Sequence, residues 1–251
     1  MHEIDVAAID AVIFDLDGVI TKTASVHEAA WAELFNDYLR QRSEEKGEAF
    51  VPFEASDYLE FVDGKPRYDG VDSFLRSRSI ELPWGTPEDP PEAETVCGLG
   101  NRKNGFFLRH LEEHGVEPYQ TSVDLVKELQ RQGVATALIS SSRNVTAVLT
   151  AAGLLDLFAV RIDGNVAAEI GIPGKPHPAV FLEAAQRVGA VPERSAIVED
   201  AQSGVEVGKA GGFCMVIGVD RGNQADLLAA SGATVVVPDL GEVTVKALAE
   251  E

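Results

Sequence analysis

The sequence of 251 residues is poor in sulfur and in aromatic side chains, with two cysteines, two methionines and an aromatic fraction of 7%. Cys97 and Cys214 lie far apart in the sequence and show no metal-ligand spacing. A disulfide framework is therefore not expected, and a reducing, cytoplasmic compartment fits this cysteine usage better.

Long apolar runs are also missing from the sequence. No stretch approaches the roughly 20 apolar residues that a membrane-spanning helix needs. The first residues include Glu3, Asp5 and Asp10, where a signal peptide would have basic residues followed by an apolar run. We therefore expect no membrane partner.

Positive charge is scarce, because 21 lysines and arginines face 41 aspartates and glutamates and leave a net charge of −20. This excess of acid argues against nucleic acid or an anionic membrane as the main partner. Much of it is interpreted as a solubility feature. An anionic substrate would need a local cluster of basic groups to bind.

Short apolar runs that alternate with helical patterns predict the fold of most of the chain. The predicted strands are 11–14, 134–139, 159–162, 196–198, 213–217 and 234–237. The predicted helices between and after them are 121–132, 144–152, 178–189, 202–211, 224–231 and 243–250. Continuous β-branched runs are typical of parallel strands buried on both faces. The alternation predicts an α/β, doubly wound parallel-sheet core of the Rossmann-like type.

A long stretch after the first strand has a different character, because it contains helical patterns and no strand pattern. Its predicted helices are 25–42, 54–62, 70–79 and 99–114. We therefore expect a discontinuous core, 1–22 and 118–251, with an all-helical cap domain, 23–117, inserted into it. Ligands of open parallel sheets bind beyond the carboxyl ends of the strands. An insert at this point is expected to lie over such a site as a lid.

Two acids, Asp15 and Asp17, directly follow the first predicted strand. Side chains at positions i and i+2 of an extended segment face the same way, so the two carboxylates can share one pocket. One of them can bind Mg²⁺ and act as a nucleophile while the other keeps a proton for general acid catalysis. The same pattern of acids and glycine also occurs in turns and in calcium-binding loops.

Three later strand ends also carry reactive or charged groups. They are the hydroxyl-rich run 140–144, which starts with Ser140, then Lys175 between Gly174 and Pro176, and the pair Glu199 and Asp200. Helix capping is the alternative for Ser140 and Asp200, and a solvated surface position is the alternative for Lys175. Taken in order, the four strand ends offer acid, hydroxyl, lysine and acid, which together predict phosphoryl transfer.

These four motifs, in this order, resemble those of the haloacid dehalogenase superfamily of phosphotransferases. The resemblance implies that Asp15 is the nucleophile and Asp17 the general acid/base. It also implies that Ser140 and Lys175 hold the transferring phosphoryl group. The implied Mg²⁺ ligands are Asp15, the backbone carbonyl of Asp17, and Asp200 with Glu199 close by.

Within that superfamily the sequence is most similar to mutases that interconvert β-glucose 1-phosphate and glucose 6-phosphate through a 1,6-bisphosphate. The resemblance implies that a small-molecule sugar phosphate is bound by His27, Trp31, Gly64, Arg67, Lys103, Ser142, Arg143 and Asn144. From the residues alone, His27 could instead be an exposed helix residue and Trp31 a core contact. A mutase that works through a bisphosphate must hold two phosphates, which is why Arg67 and the triplet 142–144 matter.

The sequence departs from that mutase pattern at several positions. They are Lys22, Lys65–Pro66, Gly70, Ala201 and a longer cap around 83–98. They concern the sugar and the cap more than the phosphoryl chemistry. A sugar-phosphate phosphatase with the same site, and a non-catalytic sugar-phosphate sensor, remain as alternatives. Because no apolar stripe is left over in the predicted elements, a monomer is expected.

Overall fold

A computed structural model describes residues 2–247 of the chain. The chain forms two compact units: one contains the residues up to Lys22 together with those from Val116 onward, and the other is Thr23–Gly115. We call the first the core unit and the second the cap unit. The sequence pattern placed the end of the insert at residue 117, whereas the second unit ends at Gly115.

The strands of the described chain all belong to the core unit. They are β1 (His2–Asp5), β2 (Ala11–Asp15), β3 (Ala135–Ile139), β4 (Val160–Ile162), β5 (Ser195–Glu199), β6 (Met215–Val219), β7 (Val235–Val237) and β8 (Val243–Lys246). Six of them form one sheet in the order β4-β3-β2-β5-β6-β7, and every pairing within it is parallel. The predicted doubly wound α/β fold is therefore confirmed.

Helices account for the cap unit and for the crossovers of the core unit. The cap unit contains α1 (Ala24–Lys46), α2 (Ala55–Asp57) with a following π-helical turn (Tyr58–Val62), α3 (Arg67–Ser77) and α4 (Val96–His114). The core unit contains α5 (Gln120–Arg131), α6 (Val145–Ala151), α7 (Gly164–Ile170), α8 (Ala179–Arg187), α9 (Gln202–Ala210) and α10 (Ala225–Ser231). Within the described residues, no helix is long and apolar enough to cross a membrane.

The prediction of a helix over 243–250 is wrong. Val243–Lys246 is strand β8, which pairs in parallel with β1, with Ile4 opposite Val245; positions 248–250 lie outside the described residues. Three consecutive β-branched residues, 243–245, favour a strand once a partner strand exists. That partner, β1, comes from the other end of the sequence and was also missed. Helix α7 was missed too; the Asp163 side chain caps it by accepting from the amides of Asn165 and Val166.

The carboxyl ends of the central strands define where the core unit can bind a ligand. All five residues of β2 and all five of β5 are buried, which explains the apolar runs 11–14 and 196–198 within them. The chain leaves β2 toward β3 and leaves β5 toward β6, so the strand order reverses between these two neighbours. In open α/β sheets this reversal is where ligands bind. Asp15 lies opposite Ile139 in this register.

Candidate active site

A buried lysine links the ends of β2 and β5 in the core unit. Lys175 Nζ donates to Asp15 Oδ1 at 2.8 Å and to Glu199 Oε1 at 2.7 Å. The exposed fractions of Lys175, Asp15 and Glu199 are 3%, 4% and 0%. Charges this deeply buried persist only when they are paired and hydrogen-bonded. The alternative of a solvated surface lysine is therefore excluded.

The protonation of this group is governed by burial and by crowding of acids. Burial is the largest effect on Asp15 and raises the pKa of its carboxyl well above the usual value; Glu199 and Asp17 act in the same direction, and Lys175 opposes them. Burial works against the charge of Lys175, but Asp15 and Glu199 together raise the pKa of its ammonium group. Lys175 therefore stays protonated at neutral pH, and the carboxyl groups around it outnumber this single cation.

Carboxyl groups of the site lie where a metal ion would be held. Ligand oxygens of Asp15, Glu199 and Asp200 all lie within 4.8 Å of one another, and all three residues are buried. The group offers oxygen ligands only, which suits a hard divalent cation such as Mg²⁺ and disfavours a soft one. Crowded carboxylates beside a single ammonium group are relieved by such a cation. The donor set thus fits the expected magnesium.

Asp17 takes a different position from the other acids. Its carboxylate Oδ2 accepts from Ser140 Oγ at 3.2 Å, and its backbone amide donates to Asp15 Oδ2 at 3.0 Å. Asp17 is partly exposed, whereas Asp15 is buried. The arrangement separates one acid that faces Lys175 from a second acid that faces a hydroxyl. Such a pair suits a nucleophile and a proton donor.

Two glycines make room for the acids, and their part in the site is not evident from the motif pattern alone. Gly18 has φ +80, and a Cβ there would lie 1.7 Å from Asp200 Oδ2. A Cβ on Gly204, in α9, would lie 2.0 Å from Glu199 Cδ. Both positions require glycine because a carboxylate occupies the space that a side chain would need. The local signal was present, since each glycine follows its acids within a few residues.

The loop after β3 presents hydroxyls and amides at the same edge of the sheet. Ser140 Oγ accepts from the Ser142 amide at 3.0 Å, and Ser142 Oγ accepts from the Asn144 amide at 3.1 Å. Asn144, not Ser140, is the N-cap residue of α6, so the capping alternative for Ser140 is excluded. Asp200 is likewise not the N-cap of α9, which is Ala201.

Arg143, the remaining member of the 142–144 triplet, is partly buried. Its carbonyl accepts from Asn165 Nδ2 at 2.9 Å, and the Ser142 carbonyl accepts from the Gly164 amide at 3.0 Å. The start of α7 therefore holds this loop in place. Sequence reasoning missed this contribution because it did not detect α7.

In the cap unit a second buried lysine contacts an imidazole and two aromatic rings. Lys103 is 3% exposed, and its Nζ lies 2.7 Å from His27 Nδ1. The same nitrogen lies 4.8 Å from the centre of a Trp31 ring and 5.1 Å from that of Phe107. His27 also stacks on Phe107, with ring centres 4.2 Å apart. The alternative that His27 is simply an exposed helix residue is therefore wrong.

Trp31 is a core contact that also borders Lys103. It is 4% exposed and stacks on Phe35 with ring centres 5.3 Å apart, as a core contact would. A ring of the same side chain also faces Lys103. Gly70, one of the departures from the mutase pattern, packs against Trp31: an added Cβ would lie 3.2 Å from Trp31 Cζ2. The departure at Gly70 thus serves close packing in the cap unit.

Arg67 lies at the start of α3, where the sequence expected a phosphate-binding arginine. Its Nη2 donates to Asn104 Oδ1 at 2.7 Å, so the arginine is linked to the residue that follows Lys103 on α4. Gly64 precedes it with φ +70, a left-handed conformation that glycine adopts without strain. The cap unit therefore brings together Arg67, Lys103, His27 and Trp31 around the start of α3 and the middle of α4.

The sequence matches a known enzyme family over most of its length. Residues 9–212 match the family model described as haloacid dehalogenase-like hydrolase. The chain belongs to the haloacid dehalogenase-like hydrolase family. It is 47% identical over 237 residues to a β-phosphoglucomutase of Mycobacterium bovis, covering 93% of this chain and 90% of that protein.

Two other similarities extend this result. The crystal structure of a β-phosphoglucomutase from Clostridium difficile matches with a TM-score of 0.71 and 25% identity, covering 93% of this chain and 92% of that one. A stretch of 133 residues is 39% identical to a trehalose-phosphate phosphatase of Mycobacterium leprae, covering 51% of this chain and 29% of that protein. The expected family, the resemblance to sugar-phosphate mutases and the expectation of an enzyme are confirmed.

Proposed function

We propose that the chain is a Mg²⁺-dependent phosphotransferase that interconverts β-glucose 1-phosphate and glucose 6-phosphate. The observation that carries the proposal is the buried contact of Lys175 with Asp15 and Glu199 at the carboxyl ends of β2 and β5. A carboxylate held this way beside an ammonium group can accept a phosphoryl group, because the ammonium offsets the charge of the transferred oxygens.

In the proposed cycle the phosphoryl group on Asp15 passes to the 6-hydroxyl of β-glucose 1-phosphate. The bond to Asp15 breaks as the bond to the sugar oxygen forms, and the hydroxyl proton goes to Asp17. The bisphosphate then turns around, and the Asp15 carboxylate takes the phosphoryl group from the 1-position. Asp17 returns its proton to the oxygen that is released.

Two sets of groups would support this transfer. Lys175 and the hydroxyl of Ser140 would bind oxygens of the phosphoryl group while it is transferred. Asp15, the Asp17 carbonyl and Asp200, with Glu199 close by, would hold Mg²⁺, which would neutralise charge that develops on those oxygens. Glu199 also accepts a hydrogen bond from Lys175, in addition to the one that Asp15 accepts. This pairing holds the ammonium group in place before any substrate binds.

A mutase must also hold the phosphate that is not being transferred. We assign Arg67 with Gly64, together with Ser142, Arg143 and Asn144, to that second phosphate. His27, Trp31 and Lys103 are assigned to the sugar phosphate on the cap unit. Arginine suits this role because its planar guanidinium group binds two phosphate oxygens at once. These basic residues would supply the local positive charge that a chain of net charge −20 needs for an anionic substrate.

The proposal is tested by ³¹P NMR of the purified protein with Mg²⁺, β-glucose 1-phosphate and a trace of glucose 1,6-bisphosphate. We expect the signal of glucose 6-phosphate to replace that of the substrate without build-up of inorganic phosphate. Arg67→Ala should slow this conversion, since the second phosphate loses its ligand. Arg76→Ala is the matched control, because Arg76 lies on the same helix and pairs with Asp72 in an exposed position. The absence of glucose 6-phosphate would contradict the proposal.

A sugar-phosphate phosphatase is the second candidate. The matching family is described as one of hydrolases, and half of the chain is similar to a trehalose-phosphate phosphatase. The two activities differ in whether water or a sugar hydroxyl attacks the phospho-aspartate. Steady release of inorganic phosphate that Arg67→Ala leaves unchanged would favour the phosphatase, because one phosphate needs no second arginine.

A further inference from the structure

The loop that follows β6, residues 220–224, lies beside the strand ends that carry the acids. Strand β6 pairs with β5, and Gly218 lies opposite Glu199. Asp220 Oδ1 accepts from the amides of Gly222 and Gln224 at 3.2 and 2.8 Å, which folds the loop back on itself. This loop contains none of the four motifs of phosphoryl transfer. Its side chains nevertheless contact the turns that follow β2 and β5, where two of the motifs lie.

Arg221 connects this loop to the turn after β2. Its Nε donates to the backbone oxygen of Gly18 at 2.8 Å. Its Nη1 donates to the Pro238 oxygen at 3.1 Å and to Asp239 Oδ2 at 3.3 Å. The guanidinium group also lies 3.6 Å from the centre of the Tyr119 ring. Four groups therefore fix the arginine, and the arginine in turn fixes the peptide that follows Asp17.

Gln224 connects the same loop to the turn after β5. It is 7% exposed, and its Nε2 donates to the backbone oxygen of Asp200 at 3.2 Å. Gly18 and Asp200 are themselves in contact range, because the space beside Gly18 Cα is filled by the Asp200 carboxylate. One five-residue loop thus holds both turns from the outside.

We propose that Arg221 and Gln224 are positioning residues that set the geometry of the phospho-transfer site through Gly18 and Asp200. Neither side chain needs to touch the substrate. Arg221 holds the turn that carries Asp17, and Gln224 holds the turn that carries Asp200. Displacing a catalytic group by about 1 Å can lower the rate by roughly 10²-fold. This brace, the loop 220–224, contacts both turns. It therefore keeps the proposed proton donor and the cation ligand at a fixed distance from each other.

This inference rests on the proposed role of Asp15 and its neighbours, but not on whether the enzyme is a mutase. The variants are Arg221→Met and Gln224→Met, which remove the donor; methionine nearly keeps the length of glutamine and keeps the unbranched aliphatic part of arginine. We expect kcat of Arg221→Met to fall by about 10- to 100-fold, with the KM for the sugar phosphate changed less than about twofold. Gln224→Met should weaken Mg²⁺ binding several-fold in calorimetry of the protein with the metal alone.

A matched control exists at the opposite, amino ends of the same central strands. Arg194 donates to both carboxylate oxygens of Asp10 at 2.6 Å and to the Ala7 oxygen at 3.1 Å. It therefore connects the segments that precede β2 and β5, as Arg221 connects the segments that follow β2 and β6. Arg194→Met should leave kcat and the Mg²⁺ affinity unchanged, because it lies at the amino ends of the strands.

Arg221→Lys separates positioning from folding. A lysine can offer one donor to Gly18 but cannot reproduce the fork that also reaches Pro238 and Asp239, so its kcat should lie between those of wild type and Arg221→Met. The proposal is overturned if Arg221→Met and Arg221→Lys keep the wild-type kcat, or if Arg194→Met lowers kcat equally. It is also overturned if Gln224→Met binds Mg²⁺ as wild type does. If the wild type only releases phosphate, the mutase assignment fails, while the same variants still test the brace through hydrolysis and metal binding.

Discussion

Two lysines of this protein are equally buried, at 3% exposure, yet the protein surrounds them with opposite chemistry. Lys175, in the core unit, lies between the carboxylates of Asp15 and Glu199. Lys103, in the cap unit, lies beside the imidazole of His27 and over the rings of Trp31 and Phe107. Two carboxylates of the chain pair with the first lysine, whereas an imidazole and two aromatic rings contact the second.

In the proposed phosphoryl transfer, this difference would separate two tasks. Lys175 would keep one position relative to Asp15 throughout the reaction, because paired charges in a dry site provide rigidity. A lysine that recognises an incoming phosphate needs its positive charge available, and aromatic rings hold an ammonium group through the quadrupole of the ring. We therefore expect Lys175 to matter for stability and chemistry, and Lys103 to matter for binding.

The largest effect is expected from Asp15, the proposed nucleophile, which faces Lys175. Asp15→Asn should lower activity by more than about 10³-fold, because the amide cannot form the phospho-aspartate. The protein should remain folded, since the variant keeps the shape of the side chain. Asp10→Asn is the control: Asp10 lies just before the other end of β2, paired with Arg194. A steady-state assay of both variants that shows equal rates would contradict the assignment of Asp15.

The two lysines can be compared directly by replacing each with methionine. Lys175→Met leaves the Asp15 and Glu199 carboxylates buried without their cation, which should lower the free energy of unfolding by about 3–5 kcal/mol. Lys103→Met removes an ammonium group that contacts an imidazole and two aromatic rings, so the loss should be smaller, about 2 kcal/mol. Urea unfolding of both variants measures the difference.

Substrate binding gives a second measurement for Lys103→Met. Lys103→Met should raise the KM for the sugar phosphate by about 10-fold or more, because a hydrogen bond to a charged phosphate contributes roughly 1.5–3 kcal/mol. If Lys103→Met destabilised the protein as much as Lys175→Met and left KM unchanged, the division between a structural and a recognition lysine would be wrong.

A smaller effect is expected from two helical glycines, one in each unit. A methyl group on Gly204 would collide with the Glu199 carboxylate, whereas a Cβ on Gly105 has no neighbour within 4 Å. Gly204→Ala should lower the free energy of unfolding by about 1–3 kcal/mol and also lower activity, since Glu199 moves away from Lys175. Gly105→Ala should raise it by about 0.5–1 kcal/mol. Thermal unfolding that gave both variants the same sign would contradict this packing.

The smallest effect is expected from the exposed ion pair of Glu128 and Arg131. Exposed charges of this kind contribute little to stability. Hydrogen bonds from the Arg131 and Gln132 side chains lower the pKa of Glu128 to about 2. Because the folded-state pKa is depressed, this contribution is present above the ordinary value of 4.5 and is lost as pH falls toward about 2. The small difference in urea midpoint between wild type and Glu128→Gln should vanish over that range, and also in high salt. A difference that grew as pH fell would contradict this sign.

The parts of the site that were predictable from the sequence lie directly after buried strands. Asp15, Ser140 and Glu199 each follow an uninterrupted apolar run, and parallel strands bring their carboxyl ends to one edge. Lys175 was predicted from its proline-flanked loop and from the family motif. The roles of these residues stay proposals, but their convergence in the core unit follows from a pattern that the chain displays locally.

What could not be predicted depends on contacts between distant segments. Strand β8 was taken for a helix because its partner, β1, is encoded at the opposite end of the chain. Arg221 was missed because an arginine after a strand has no local feature that reveals a Gly18 carbonyl 203 residues away. Gly204 was read as part of a helix start, although the space it leaves is filled by Glu199.

The sequence by itself determined the order of the chemical groups: an acid pair, a hydroxyl run, a lysine and a second acid pair. Apolar periodicity placed the acids and the hydroxyl run at strand ends, whereas Lys175 lies in the loop between α7 and α8. Only the tertiary structure decided which of those groups contact each other. In it Lys175 pairs with Asp15 and Glu199, Asp17 accepts a hydrogen bond from Ser140, and Lys103 lies beside the rings of Trp31 and Phe107. Periodicity reports which face of one element is buried, whereas the partner of a charge depends on which elements pack together.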